Sequence, residues 1–246
     1  MATAFVTGAS YGVGAATALK LAGDGFDVAI SATRADNLAN IGRELDATGR
    51  RIAPVVLDLK SEASIRDAFA QVIAAFGTLD VLINNAGANL RKAAVDVSVA
   101  EWDEIIATNV TGTFFLSQQF GRHLIAARRP GALVNIASTH GIVAAAERST
   151  YGISKAAIIH MTKMLAIEWA DHGIRVNAVA PGRLDTESPS RRDADPKYLQ
   201  AMLARIPLHR LATVDEVAAA VAYLASPQAA SITGHTLVLD GGLLSV

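Results

Sequence analysis

Residues 4–14 read AFVTGASYGVG, a short apolar run that breaks into Gly8, Gly12 and Gly14 and then continues as the Ala-rich pattern AATALKLAGDG. Glycine there permits a tight turn and lets backbone N–H groups approach an anion at the positive end of the helix that follows. A strand, a glycine turn and a helix in that order predict a pyrophosphate-binding βα unit. Glycines kept for packing alone would not require that order.

Working outward, similar runs recur: TAFVTG, FDVAIS, RIAPVVLDL, LDVLINNAG, GALVNIAS, IRVNAVAPG and HTLVLDGG. They are Val/Ile-rich and end in Gly, Asn, Asp or Ser, as buried parallel strands do where they run into functional turns. Helical patterns lie between them. The clearest is EASIRDAFAQVIAAFG, with Ile65, Phe69, Val72, Ile73 and Phe76 on the helical period and Gly77 as its stop. The alternation predicts an α/β fold, a single doubly wound Rossmann-type domain over residues 1–246 with about seven parallel strands and helices on both faces. The stretch 183–210 carries no clear strand and is rich in Pro, Ser and charge, which predicts a substrate lid.

Bulk properties exclude several function classes. Hydrophobic residues make up 51% of the 246 and aromatics 5%, a composition suited to closely packed helices and buried strands. Net charge is −1, with both signs interspersed, so neither a nucleic acid nor an anionic membrane is an expected partner. The absence of cysteine removes disulfides, thiolate nucleophiles and Cys-based metal sites, and fits an intracellular enzyme. No basic leader, no span-length apolar run, no HExxH and no GxSxG occur. We therefore expect a cytoplasmic protein without a metal, and not a serine hydrolase.

The second informative stretch is YGISK, where Tyr151 and Lys155 stand one helical turn apart at the start of a largely apolar helix. That spacing stacks both side chains on one face and brings an ammonium beside a phenol. Alone, the pair reads equally as a surface Tyr and a snorkelling Lys.

With the TGxxxGxG spacing of the glycine turn, the ordered set of motifs resembles the short-chain dehydrogenase/reductase family over essentially the whole chain. The segments that carry it are TGASYGVG, NNAG at residues 84–87, NVTGTF, NIAS, YGISK, APG at residues 180–182 and ITGHTLVLDGG. The resemblance implies a catalytic set of Asn109, Ser138, Tyr151 and Lys155. It places Gly8, Ser10, Tyr11, Gly12, Val13 and Gly14 on the cofactor's phosphates, and Asp58 with Leu59 at the adenine. Asn85, Ala86 and Gly87 fall near the adenine and ribose, Tyr151 and Lys155 at the nicotinamide ribose, and Pro181, Gly182, Leu184 and Thr186 along the remaining cofactor wall. Asn109 would anchor a water chain to solvent.

The chemistry then has a physical form. Moving a hydride from an alcohol carbon leaves one proton to handle at the oxygen. A phenol of reference pKa about 10 needs roughly 3 units of depression, about 4 kcal/mol, to act near neutrality, and Lys155 is the expected source of much of it. Ser138 would hydrogen-bond the substrate oxygen.

For the cofactor, Ala32 stands at the end of the second strand where an acid would hold the 2′-OH of NAD. Thr33 and Arg34 follow, a hydroxyl and a guanidinium suited to a phosphate, so NADP is expected, with NAD as the alternative. Asp36 is expected to cap the next helix. Tyr11 stands where NADP-preferring relatives often carry Arg or Lys.

After NNAG the chain continues ANLRK, where Arg91 and Lys92 are suited to pair with a carboxylate or polyol hydroxyls; the segment resembles the gluconate 5-dehydrogenase-like branch, which implies a sugar acid or polyol. His140, Glu147, Arg148 and Arg183 are the other candidate substrate contacts, beside Ser138. Helices apolar on several faces predict helix-to-helix assembly, and the resemblance implies a homotetramer built from C2 interfaces. The rival readings are a catalytically silent dinucleotide sensor and a different chemistry with tightly held cofactor.

Overall fold

The computed structural model describes residues 2–185 and 196–246. Its strands are β1 (Thr3–Val6), β2 (Asp27–Ala32), β3 (Ile52–Val56), β4 (Val81–Asn84), β5 (Gly131–Ile136), β6 (Ile174–Pro181), β7 (Leu184–Asp185), β8 (Ala212–Thr213) and β9 (Thr236–Leu239). The helices are α1 (Gly12–Gly23), α2 (Ala39–Asp46), α3 (Glu62–Phe76), α4 (Val99–Ile106), α5 (Thr113–Ala127), α6 (Ser149–Trp169), α7 (Pro196–Leu203) and α8 (Val214–Ala225). Seven strands form one sheet in the order β3-β2-β1-β4-β5-β6-β9, and every neighbouring pair is parallel. The seven runs read from the sequence are these seven strands. The two-residue ladder of β7 with β8 was not foreseen, being too short to leave a periodic signal.

Side chains alternate across the sheet as the pleat demands. Ala4, Val6, Ile30, Ile83 and Val134 point to one face, where Leu21 of α1, Ile41 and Leu45 of α2 and Val217 and Val221 of α8 cover them. Phe5, Leu82 and Leu133 point to the other, under Ile65 and Phe69 of α3, Leu116 and Phe120 of α5 and Leu165 and Trp169 of α6. Both faces are buried, so the strands read as continuous apolar runs. Each fully buried Leu, Ile or Phe contributes about 1.5–3 kcal/mol of transfer free energy.

Local signals set the ends. Ser61 caps α3 by accepting from the Ser64 N–H, and Gly77 closes it in the left-handed region at φ 78°. Capping boxes start α4 (Ser98 with Glu101) and α8 (Thr213 with Glu216). One expectation fails: Asp36 is no helix cap. It lies inside a 3₁₀ turn, Ala35–Leu38, that has Arg34 at its N-cap and no side-chain cap bond.

β1 and β4 are adjacent in the sheet although two strands lie between them in sequence, so the winding reverses there and a crevice opens at their carboxyl ends. α6, expected to be apolar on more than one side, buries Ile158, Leu165 and Trp169 and leaves Ile153, Met164 and Ile167 exposed. No helix among the described residues is long and apolar enough to cross a membrane.

Candidate active site

The crevice at the β1/β4 reversal has a volume of about 1240 Å³. The expected residues Gly8, Ser10, Tyr11, Gly12, Val13 and Gly14 line its floor, and Asp58, Leu59, Asn85, Ala86 and Gly87 line its walls. α1 begins at Gly12 with neither a side-chain cap nor an acid in its first turn, so the open N–H groups and the dipole are left for an anion. The glycines are needed where backbones meet. A Cβ on Gly14 would sit 2.3 Å from the Gly8 carbonyl oxygen and 2.5 Å from Asn85 Nδ2. Gly8 holds φ +63°, and a Cβ there would lie 2.8 Å from Ala86 Cα.

The turn after β4 is tied to the turn after β1. Asn85 Nδ2 donates to the carbonyls of Thr7 and Gly8, both at 2.9 Å, and Thr7 Oγ1 accepts from the Asn85 and Ala86 N–H groups at 3.0 Å. Asn84 reaches inward instead, donating to Ser117 Oγ and Asn135 Oδ1. The residues present therefore fit a dinucleotide: a glycine cradle that a Cβ would fill, and an uncapped helix start beneath it.

At the far end of the crevice Ala32, Thr33, Asn37, Asn40 and Glu44 form the wall. Thr33 is placed as expected. Arg34 does not line the crevice; its guanidinium is largely exposed and lies 3.9 Å from Asp36. Pro181 ends β6, Gly182 and Leu184 follow it, all three outside the crevice lining, and Asp185 lines it in their place. Thr186 lies outside the described residues, as do residues 187–195 of the expected lid.

The catalytic candidates gather next to Gly87 and Ala88, and Asn109, Ser138, Tyr151 and Lys155 themselves stand outside the crevice lining. Tyr151 and Lys155 occupy the first turns of α6, and Lys155 Nζ lies 5.7 Å from the phenol ring centroid. The buried ammonium donates to the Ile136 carbonyl at 2.7 Å, and burial holds its pKa down at about 8. A Cβ on Gly87 would be 3.7 Å from that nitrogen, which places it beside the crevice. Ser138, two residues beyond β5, is buried, and its hydroxyl opposes the rise of the Tyr151 pKa. Its hydroxyl also accepts from the His140 N–H at 3.2 Å. Gly141 and Gly152 allow this turn to lie on α6, because a Cβ on either would come within 3.0 Å of backbone atoms across the contact.

The electrostatics differ from expectation. Burial raises the Tyr151 pKa, and the groups opposing that rise are the Ser138 hydroxyl and then the Arg148 guanidinium. Lys155 is not among those opposing groups: its ammonium lies over the ring's face and donates to the Ile136 carbonyl. Arg148 lies 6.0 Å from the same ring centroid and was read only as a substrate contact.

Asn109 stands in a π-helical turn, Ala107–Gly112, between α4 and α5. Oδ1 accepts from the Ala88 N–H at 2.7 Å, while Nδ2 donates to the Ala88 carbonyl and to Ser154 Oγ, each at 2.9 Å. Ser154 was missed by the sequence reading. The only signal was its position beside Lys155.

Most of the substrate candidates gather over Tyr151. Arg91 Nε donates to Glu147 Oε2 at 2.8 Å, the Lys92 N–H donates to the Glu147 carbonyl at 3.0 Å, and Arg148 Nη1 donates to Asn89 Oδ1 at 2.6 Å. Two loops distant in sequence are thus strapped together, with Glu147 in the left-handed region at φ 62°. The His140 ring stands edge-on to Tyr151 at 6.3 Å. Desolvation, then Arg148 and Arg91, lower its pKa and favour a neutral imidazole. Arg183 is half-buried between β6 and β7.

A doubly wound sheet with a glycine-floored reversal crevice and a Ser, Tyr and Lys cluster beside it suits a dinucleotide-dependent oxidoreductase. A family profile described as enoyl-(acyl carrier protein) reductase matches residues 8–244. Cis-4-hydroxycyclohexanecarboxylate dehydrogenase of Sinomonas cyclohexanicum is 40% identical over 244 residues, covering 99% of this chain and 96% of that protein. The 3beta-hydroxysteroid dehydrogenase 1 of Eggerthella lenta is 35% identical over 243 residues, covering 98% and 93%. A gluconate 5-dehydrogenase from Burkholderia cenocepacia J2315, crystallised with NADP and tartrate, matches with a TM-score of 0.94 at 31% identity, covering 100% of this chain and 96% of that one. The chain belongs to the short-chain dehydrogenase/reductase family, and it is an oxidoreductase of that family.

Proposed function

We propose that the protein interconverts a secondary alcohol and a ketone with NADP(H), with Tyr151 exchanging the proton at the substrate oxygen. The observation that carries this reading is the placement of Ser138 and Lys155 near Tyr151, beside the Gly87 wall of a crevice floored by the glycine cradle. The nicotinamide, when bound, supplies or accepts the hydride. Ser138 holds the substrate oxygen beside the phenol, and its hydrogen bond favours the phenolate when Tyr151 takes the alcohol proton. Lys155, fixed by the Ile136 carbonyl, keeps a positive charge or a transferable proton next to the ring, since its pKa of about 8 lies close to neutrality. The straps over Tyr151 restrict water at the reacting oxygen.

NADP is favoured by the absence of a carboxylate at Ala32, by Thr33 in the wall and by the NADP held in the Burkholderia relative. Arg34 reaches a 2′-phosphate from outside the wall. For the substrate we infer a hydroxy acid, such as a sugar acid, or a related polyol. Arg91, Arg148 and His140 cluster above the phenol, and two of the relatives above are named for carboxylate-bearing substrates. The exposed apolar residues of α5 and α6, Phe114, Phe115, Ile153, Met164 and Ile167, support a homotetramer, which we place in the cytoplasm.

The test is a screen of sugar acids, hydroxycyclohexanecarboxylates, steroids and acyl thioesters with NADP(H) and NAD(H), read at the nicotinamide absorbance. Net turnover of a hydroxy or keto acid with NADP(H) is expected. Cofactor binding without any turnover would favour the sensor, and preferred turnover of steroids or thioesters would remove the substrate assignment.

A further inference from the structure

We propose that Ser154 is a positioning residue of this active site: it fixes the carboxamide of Asn109 and, through it, the Gly87 and Ala88 backbone beside Lys155. The inference rests on the reading of Tyr151 and Lys155 as the proton-handling pair. Three elements meet at the Asn109 amide. Ala88 presents both an N–H and a carbonyl from the turn after β4, and Asn109 answers both from the π-helical turn. That leaves one Asn109 N–H, in a buried site, which needs its own acceptor. Ser154 Oγ supplies it from α6 at 2.9 Å.

The serine is itself oriented. Its hydroxyl donates to the Tyr151 carbonyl at 2.7 Å, a bond back along its own helix, so the oxygen turns a lone pair toward Asn109. The bland account of Ser154 is this back-bond alone, a common habit of serine in helices. The Asn109 contact goes beyond it, because it joins the backbone of the catalytic tyrosine to the turn that faces Lys155 Nζ. A Cβ on Gly87 would lie 3.1 Å from Asn109 Oδ1 and 3.7 Å from Lys155 Nζ, so a rotated carboxamide would disturb the ammonium's surroundings directly.

The full-length Ser154→Ala, Ser154→Val and Ser154→Thr variants test this, Val and Thr having the same shape and differing only in the hydroxyl. Turnover is followed with NADP and either gluconate or cis-4-hydroxycyclohexanecarboxylate as the probe. Hydrogen exchange of the Ala88 amide is followed without any substrate. The Ala and Val variants are expected to lose about ten-fold in kcat while KM for NADP stays within about two-fold, and to exchange the Ala88 amide about ten-fold faster. The Thr variant stays near the parent in both. A lowered melting temperature with unchanged Ala88 exchange and unchanged kcat, or a Thr variant as impaired as Val, overturns the proposal. If the parent protein turns over neither probe, the substrate assignment fails separately and the exchange comparison still decides the role of Ser154.

Discussion

The dinucleotide crevice and the reacting cluster beside it are built from different materials. In the crevice the recognising groups are backbone: glycines packed to 2.3 Å of imagined Cβ clearance, an uncapped helix start and a turn stitched to it by Asn85. In the cluster they are side chains delivered from α6, the turn after β5 and two strapped loops. A backbone site tolerates almost any side chain pointing away from it but no Cβ within it. A side-chain site tolerates backbone variation but depends on which charge faces which ring. Binding and chemistry should therefore fail separately under mutation.

The largest effect expected from that contrast is on the backbone side. Gly14→Val forces a Cβ into the Gly8 carbonyl and Asn85; NADP affinity should fall by at least about a hundred-fold, with about 1–3 kcal/mol of lost stability from overpacking. Titration by cofactor fluorescence and denaturant unfolding measure both, and retained affinity would break the contrast.

Next comes Lys155. Burial places its amine at about 8 in the folded protein, against an ordinary value of 10.5, so between those pH values the unfolded chain binds a proton that the native chain has released. This contribution to stability is flat below pH 8 and rises with pH up to about 10.5, by about 3 kcal/mol in all. Lys155→Met should abolish that rise in a series of unfolding curves against pH; identical pH dependence in the two proteins would contradict the assignment.

A smaller change is expected from Arg148→Ala. The guanidinium lowers the pKa of both Tyr151 and His140, so its removal should raise both. The pH profile for alcohol oxidation, which needs the deprotonated phenol, should move to higher pH, and KM for a hydroxy acid should rise by about ten-fold. A profile that stays in place would leave Arg148 a loop strap only. The smallest effect belongs to Arg34→Ala, because that side chain stands outside the crevice wall. KM for NADP should rise by roughly three- to ten-fold with the NAD value unchanged, and equal changes for both cofactors would refute its phosphate role.

The same contrast explains what the sequence made legible. Backbone recognition leaves a mark in one dimension, since Gly8, Gly12 and Gly14 must follow a strand and open a helix, and the buried parallel strands declare themselves as apolar runs. Tyr151 and Lys155 share a helical face, so their pairing also follows from spacing. The direction of the Tyr151 shift did not, because it is set by burial of the phenol against the Ser138 and Arg148 side chains, and none of these is visible in YGISK. The straps could not be read either, as Arg148 and Asn89 meet across 59 residues of chain. Ser154 looked like one more helical residue until Asn109, from a π-helical turn without a clear periodic signature, was found against it.

Binding and turnover measured side by side on Tyr151→Phe address the central claim most directly. Loss of the phenol oxygen should lower kcat by about a thousand-fold or more while the dissociation constant for NADP stays within about two-fold. Turnover within ten-fold of the parent, or cofactor affinity lost together with activity, would contradict the division of labour on which the account depends.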